Sequence, residues 1–410
     1  MKTGFIIFFL IIIPIVVLTF EFYFNIKWAS FVKKRNFNPI FAKIPYFLTL
    51  IMVPIFVGTS YLKMFSDTFY PQLWALFILS NIWILPKLLI VPIMFFQDII
   101  LLFKKFYLKF FPTKDTNLTR EKKENRRKFI QNASWVAAGV PFLITSKGLL
   151  HTAYDLKLHK GVIEIENLHD KLSGFRIVQL SDMHFGSFIN SNIIKRAVNI
   201  VNRLNPDLIV ITGDFINSKV SDLDFGLKEF KQLKAKYGVY GCLGNHDHYI
   251  EPSSLRDLTE QIESNGVKLL INQHKLIDIF QTKINLVGVD NEGVRQKFAD
   301  WDKAFQYVDE KFPTILLCHD PINWDKHIRN KRNVDLMLSG HTHGGQISID
   351  FWGEKLSPAR LVYKQYAGLY SDNYQHLYIN RGFGTSGPPI RLGFNPEITL
   401  LELRPTPPMV

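Results

Sequence analysis

Between Asp182 and His343 the chain carries five short motifs built from metal-binding residue types. They read DMH (Asp182, His184), GDF (Asp214), GNHD (Asn245, His246, Asp247), CHD (His319) and GHTHGG (His341, His343). Most come just after a short apolar run. A strand alternates its faces and ends at a sheet edge, so polar residues placed past several strand ends can meet at one point. Carboxylate, amide oxygen and imidazole together suit divalent metals of intermediate softness. The chemistry this indicates is metal-dependent hydrolysis.

The motifs differ in weight. DMH sets two donors on one face of an extended segment, a pattern that surface turns also produce. GDF is equally unspecific by itself. GNHD says more, because three polar groups follow one buried strand. GHTHGG says most: two imidazoles one residue apart can serve one compact site, and its glycines let the backbone come close. Five such motifs in this order are hard to reconcile with a purely structural role.

The elements that must position them can be read from periodicity. GVIEIENL (161–168) and FRIVQLSD (175–182) read as strands, the second delivering Asp182 and His184. Residues 191–204 have helical spacing, with Ile194, Ala197, Val198 and Val201 on one side. NPDLIVITGD is a turn and a strand that present Asp214. Residues 222–235 read as a second helix, and VYGCLGNHD as a third strand. SSLRDLTEQIESNG reads as a helix with a Ser cap and a terminal Gly. Strands follow at VKLL, HKLIDIF, KINLVGV, TILLCHD, VDLMLSGHTHGG, HLYINRGF and EITLLEL. Strands that first alternate with helices and then run in succession imply an α/β sandwich of two sheets flanked by helices. The Pro-rich tail after Arg404 reads as frayed. The cysteines, Cys242 and Cys318, sit inside apolar runs and read as small buried hydrophobes.

The formal charge of +13 is unevenly placed. Residues 1–150 hold 19 Lys and Arg against 6 Asp and Glu, whereas residues 151–410 hold 30 of each. All 12 histidines also lie after residue 150. A basic flank beside apolar spans points to anionic lipid and to orientation, not to nucleic acid. Residues 4–20 and 44–62 read as membrane spans, and 70–103 as one long, Pro-kinked or partly interfacial span interrupted by Lys87, with two short spans as the alternative. Residues 129–150 are a fourth, weaker candidate, which makes 1–150 an anchor of about four helices. Basic loops at 25–43 and 104–128 are expected in the cytoplasm, and the 63–69 loop outside. Four spans then put residues 151–410 outside the cytoplasm of a bacterial cell; if 129–150 only rests on the membrane, they lie inside. RRKF (126–129) is similar to a twin-arginine signal but serves equally as a positive flank. With few internal charges besides Lys87 and Asp98, and no paired ionisable relay, the spans read as an anchor and not a transport path.

Taken together, the five motifs resemble the calcineurin-like metallophosphoesterase superfamily, in particular its membrane-anchored bacterial subgroup. The resemblance covers roughly residues 160–403, including NRGFGTSGPPIRLGFNPEITLLEL. It implies a four-layered α/β sandwich with two divalent metal ions. Asp182, His184 and His343 would hold the first metal, and Asn245, His319 and His341 the second. Asp214 would bridge both. His246 would stand over the substrate phosphate, with Asp247 orienting its ring. The chemistry of the residues agrees with this division. A carboxylate has two oxygens to share as a bridge, and Asn245 supplies a neutral oxygen that leaves the centre less anionic. Two metals about 4 Å apart can hold a hydroxide for in-line attack on phosphorus. His246 could protonate the leaving oxygen. Manganese, iron or zinc fits these donors better than calcium or magnesium.

The expected activity is therefore phosphoester or pyrophosphate hydrolysis. The anchor points to a membrane-proximal substrate, either a phosphorylated small molecule or a lipid-linked phosphate. Some members of the subgroup resemble lipid A precursor pyrophosphatases, a cytoplasmic-face task that an extracytoplasmic domain would not serve. A nuclease or cyclic-nucleotide-type phosphodiesterase is the rival enzyme class, and balanced charge over 151–410 argues against a nucleic-acid groove. A non-catalytic membrane-tethered scaffold would require a missing ligand or a missing His246, and none is missing. Asp320 and His248 read as neighbours that orient ligands or face solvent. Arg381 and Arg391 could reach a phosphate or serve the fold.

Overall fold

The computed structural model describes residues 8–65, 71–111, 129, 135, 139–166, 168–188, 191–293, 296–352 and 354–406. The chain divides into two compact units, Met1–Leu149 and Leu150–Val410.

In the first unit, three helices run over Ile13–Lys34 (α1), Ile40–Phe65 (α2) and Pro71–Phe110 (α3). All three are long and apolar enough to cross a bilayer, and they are the only ones of that kind among the described residues. Residues 139–150 are also helical. Of the rest of the fourth candidate span only Phe129 and Trp135 are described, and the 112–128 stretch, with both arginines of RRKF, lies outside the described residues.

The helices are longer than their apolar runs. Much of the expected 25–43 loop is the C-terminal part of α1 and the start of α2, and Lys104, Lys105 and Lys109 ride on α3. The reason is pairing. Glu21, which the apolar reading passed over, binds Lys87 across 2.7 Å, and both side chains are 1% exposed. The other Glu21 oxygen accepts from the Thr49 hydroxyl (2.5 Å) and the Trp83 indole (3.2 Å). Asn25 donates to Thr49 at 3.0 Å. One carboxylate thus ties α1, α2 and α3 together. Farther along α1, Lys27 pairs with Asp98, which also accepts from Tyr23 at 2.6 Å. Lys87 and Asp98, expected as isolated charges with no paired relay, are thus each paired with a charged residue of α1. Polar groups tolerated in an apolar bundle are those satisfied inside it.

Breaking a buried pair from one side leaves a lone charge, at a cost of about 3–5 kcal/mol. Glu21→Gln or Lys87→Met alone should lower the unfolding temperature of the detergent-solubilised chain, followed by helix ellipticity, and the double substitution should recover most of the loss. Additive losses would show that the pair is not coupled.

The second unit holds two six-stranded sheets. The first contains β1 (Lys157–Ile165), β2 (Arg176–Leu180), β3 (Leu208–Thr212), β4 (Val239–Cys242), β5 (Lys268–Leu269) and β14 (Glu397–Pro405), in the order β1-β14-β2-β3-β4-β5. The second contains β6 (Gln273–Ile279), β7 (Thr282–Gly288), β8 (Thr314–Leu317), β9 (Leu336–Ser339), β12 (Gly368–Asp372) and β13 (Gln375–Ile379), in the order β12-β13-β9-β8-β7-β6. A small hairpin pairs β10 (Ile349–Phe351) with β11 (Glu354–Leu356). β2, β3 and β4 run parallel, as do β7, β8 and β9.

Period-two alternation builds the layers. Ile177, Leu208, Val210, Leu286, Ile315, Leu317, Leu336 and Leu338 meet between the sheets. Their neighbours Val178, Leu180, Ile209 and Ile211 face outward onto α4 (Asn192–Arg203) and α5 (Leu255–Ser264). Val287, Leu316 and Met337 face the other way onto Trp301, which opens α6 (Trp301–Phe305), and onto Trp324. The result is the four-layered α/β sandwich. Cys242 and Cys318 are both buried and unbridged.

The helix expected over 222–235 is instead two 3₁₀ stretches, Val220–Phe225 and Leu227–Gln232. Gly226 separates them in an extended conformation, where a Cβ would sit 2.1 Å from Ile194. Leu223, Leu227 and Phe230 still reach the core, so the helical spacing reported burial correctly and conformation wrongly. Ser254 makes no side-chain cap bond to α5, because a 3₁₀ turn at Pro252–Ser254 already leads into it.

Candidate metal centre

The motifs follow the C-terminal ends of β2, β3, β4, β8 and β9, so both sheets deliver side chains to the same edge. The backbone there is bent into the left-handed region at Asp182 (φ 50°), His184 (41°), Asp214 (55°), His341 (69°) and His343 (50°). That conformation turns each side chain sharply off its strand and is uncommon for non-glycine residues. At Gly340 a Cβ would lie 1.9 Å from Ser181 Oγ and 2.2 Å from Asp182 Oδ2, so only glycine lets the β9 loop close on β2. The His341 amide then donates to Asp182 Oδ1 at 3.0 Å.

Two sets of donor atoms result, and Asp214 belongs to both. In one, His184 Nε2 and His343 Nε2 face each other at 3.1 Å, and Asp182 Oδ1 is 3.3 Å from His343 Nε2. In the other, Asn245 Oδ1 lies 2.7 Å from His341 Nδ1 and 3.2 Å from His319 Nε2. Asp214 Oδ2 is 3.6 Å from His184 Nε2 and 3.2 Å from His319 Nε2. Its second oxygen accepts the His246 amide at 2.8 Å. The expectation that Asp214 shares two oxygens is corrected accordingly: one carboxylate oxygen faces both sets, and the other is taken by backbone.

The rings are oriented from behind. A carbonyl only accepts, so the Thr212 carbonyl 2.7 Å from His319 Nδ1 puts the proton there and leaves the Nε2 lone pair forward. His341 Nε2 is bonded to the Tyr363 hydroxyl at 2.7 Å, which turns Nδ1 toward Asn245. The Asn245 amide nitrogen donates to the Tyr249 hydroxyl at 2.9 Å, so its oxygen is the inward atom. Donor atoms of this number converging at hydrogen-bond distance fit divalent-metal binding.

The electrostatics of the donor residues by themselves differ from one donor to the next. Burial, with neighbouring imidazoles, holds His184 and His343 well below the usual imidazole range. Burial, with the charge of Asp214, pushes Asp182 upward. Burial would lower His319, but the Asp214 carboxylate overcomes it and raises His319 to about 10. Protons and cations compete for such a donor set.

His246 is half-buried, and its Nδ1 lies 2.6 Å from the Asn217 carbonyl, which leaves Nε2 open. Its ring meets that of His184 edge-on at 4.7 Å. Asp247 does not orient this ring, contrary to expectation. Its buried carboxylate accepts the amides of Asp214 (2.9 Å), Phe215 (2.9 Å), Ile216 (3.3 Å) and Gly244 (2.9 Å). Four donors saturate both oxygens, so the ring takes its partner from a backbone carbonyl instead.

The remaining neighbours are structural. His248 pairs with Asp290 at 2.7 Å and stacks on Phe298. Asp320 Oδ2 stands 3.8 Å from His341 Nε2. Arg391 is fully buried behind His343 and donates to the Gly382 and Gly384 carbonyls. Arg381 is bound to buried Glu397 at 2.6 Å. Sequence reasoning missed Tyr363, Tyr249 and Asn217. Asn217 acts through its carbonyl, which no residue type encodes, and Tyr363 lies in a loop with no motif of its own.

Residues 175–345 match the family described as "Calcineurin-like phosphoesterase". Residues 3–153 match the one described as "Probable Calcineurin-like phosphoesterase, transmembrane domain". A metallophosphoesterase of Aquifex aeolicus is 30% identical over 260 residues, which are 61% of this chain and 93% of that protein. The chain belongs to the calcineurin-like metallophosphoesterases, and it carries a transmembrane region. It is similar to the zebrafish "Transmembrane protein with metallophosphoesterase domain", at 32% identity over 63% of this chain and 59% of that protein. It is also similar to "Phosphodiesterase YaeI" of Escherichia coli, at 29% identity over 68% of this chain and 99% of that protein.

Asp247→Asn replaces an acceptor oxygen with a donor that faces amide hydrogens. We expect a loss of about 2–4 kcal/mol in stability and a lower metal content by elemental analysis, although no ligand atom is removed. Wild-type values for both would show that Asp247 does not hold the loops.

Proposed function

We propose that this protein is a membrane-anchored, di-metal phosphohydrolase acting on a membrane-proximal phosphoester or pyrophosphate. The observation that carries this reading is the pair of donor sets sharing Asp214 Oδ2. Asp182, His184 and His343 would hold one divalent cation, and Asn245, His319 and His341 the other. When bound, such a pair supplies an activated water and neutralises phosphate oxygens. Manganese, iron or zinc suits the donors.

The chain's own residues do the rest. Asp214 and the oriented imidazoles would hold the two cations. His246, held through Nδ1 by the Asn217 carbonyl, would in its imidazolium form give the Nε2 proton to the leaving oxygen and become the neutral ring. Tyr249 and Tyr363, bonded to Asn245 and His341, keep those two ligands turned inward. The charge balance of residues 151–410 supports a small or lipid-linked phosphate over nucleic acid. Among ester classes, the similarity to "Phosphodiesterase YaeI" of Escherichia coli favours including diesters. The basic residues at the C-terminal ends of α1 and α3 support a cytoplasmic location for those ends, and a fourth crossing within 129–150 would place the catalytic unit outside.

The test is hydrolysis by the full chain in detergent with added manganese, against an aryl phosphomonoester, an aryl phosphodiester and a UDP-sugar lipid pyrophosphate. Turnover should require metal, vanish on Asp214→Asn, and fall about 10²–10⁴-fold on His246→Asn with metal content retained. Metal bound without turnover on any of the three would favour the scaffold reading. Absence of metal binding would sink the site itself.

A further inference from the structure

The segment after GHTHGG forms a lip beside the donor cluster. It is stapled to the metal-ligand loop at three points: Tyr363 Oη to His341 Nε2 (2.7 Å), Thr342 Oγ1 to the Tyr366 carbonyl (2.6 Å), and Ser357 Oγ to the Gly344 carbonyl (2.5 Å). Despite this anchoring, the lip turns large apolar side chains outward. Ile349 is 69% exposed, Trp352 92%, Leu361 89% and Val362 75%. Trp352 lies at the turn of the β10–β11 hairpin, and Leu361 and Val362 follow a 3₁₀ turn at Pro358–Leu361. A well-anchored surface has no internal reason to expose a cluster of this size, and such clusters mark interaction sites.

The sequence around the cluster says what covers it. Arg360 and Lys364 bracket Leu361, Val362 and Tyr363, and both cations are exposed. Asp350 and Glu354 sit on the hairpin, so the lip is mixed in charge with its cations beside the apolar tip. Tryptophan and aliphatic side chains flanked by Arg and Lys match the headgroup boundary of a bilayer. This chain carries its own membrane spans, so a lipid surface is always at high local concentration.

We propose that the 349–364 lip inserts into the anionic headgroup layer of the membrane that anchors the chain, and so opens the donor cluster onto lipid. Its consequence, that the substrate is a phosphate carried by a bilayer lipid, rests on the phosphohydrolase reading above. The insertion itself does not need turnover.

The experiment uses the full chain reconstituted in phosphatidylcholine–phosphatidylglycerol vesicles. Cys242 and Cys318 are buried, so a thiol-reactive fluorophore reports an introduced cysteine. Trp352→Cys and Leu361→Cys place it at the lip, and Tyr307→Cys places it at a 73% exposed reference position. All three replace exposed side chains, so folding is preserved. Nitroxide-bearing lipid should quench the two lip labels several-fold more than the reference, and aqueous iodide should do the reverse. Removing phosphatidylglycerol should weaken the lipid quenching. Lip labels quenched like the reference would overturn the proposal, because the lip would then face water. Labels shielded from both quenchers would overturn it too, because a second copy or another protein would then cover the lip. Lipid quenching in a chain that hydrolyses nothing would refute the enzymatic reading alone, and turnover without quenching would refute only the lip.

Discussion

The site depends on one buried carboxylate that faces backbone and not ligand. Asp247 gathers the amides of Asp214, Phe215, Ile216 and Gly244, and so fastens the loop after β3 to the loop after β4. That closure is what a strained edge requires. Five of the donor residues hold positive φ, each at a cost of order 1–3 kcal/mol. Such backbone persists only where its surroundings over-determine it. Here the surroundings are the Asp247 amides, the Asp182–His341 amide bond and the close approach at Gly340. Flexible loops could present the same residue types but could not hold Asp214 Oδ2 toward His184 and His319 at once.

Much of this was legible in the sequence, and the reason is geometric. A buried parallel strand is an apolar run, and the residue after it stands at a sheet edge, so FRIVQLSD, LIVITGD and VYGCLGNHD declare both the strand and the donor. The same logic holds for TILLCHD and LMLSGHTH in the second sheet. What remained illegible was carried by backbone or by partners distant in sequence. Asn217 contributes a carbonyl, Asp247 is spent on amides and not on the adjacent imidazole, and Tyr363 meets His341 only because the lip folds back. The 220–232 segment shows the limit of periodicity. Apolar spacing reports which side chains are buried, and two 3₁₀ stretches around an extended glycine bury Leu223, Leu227 and Phe230 as well as a helix would.

The membrane unit shows the same limit from the other side. Hydropathy marks a span by its apolar core and stops at the first charged residues, yet α1 continues through Glu21, Asn25 and Lys27. Those residues are compatible with a helix because their partners sit on α2 and α3. A polar side chain in a bundle is therefore a statement about a neighbouring helix, and its cost depends on a residue tens of positions away. Glu21 holds three donors from three side chains on two other helices. This gives the unit a fixed helix arrangement that apolar contacts alone would specify weakly.

Charge distribution connects the two halves to the proposed chemistry. The catalytic half has no net formal charge, so it exerts little long-range pull on an anion, and its selectivity must be local. In the proposed site only Asp182 and Asp214 bring formal negative charge among the seven ligands, the others being imidazoles and one amide. With two divalent cations bound as proposed, the cluster would become net positive and would attract phosphate. On that proposal the donor set would select first for its cofactor and then for its substrate, and Asn245 in place of a third carboxylate would preserve the second step. A substrate delivered along a lipid surface would need no steering field at all, which is consistent with a chain whose entire cationic excess lies in the residues of its membrane part.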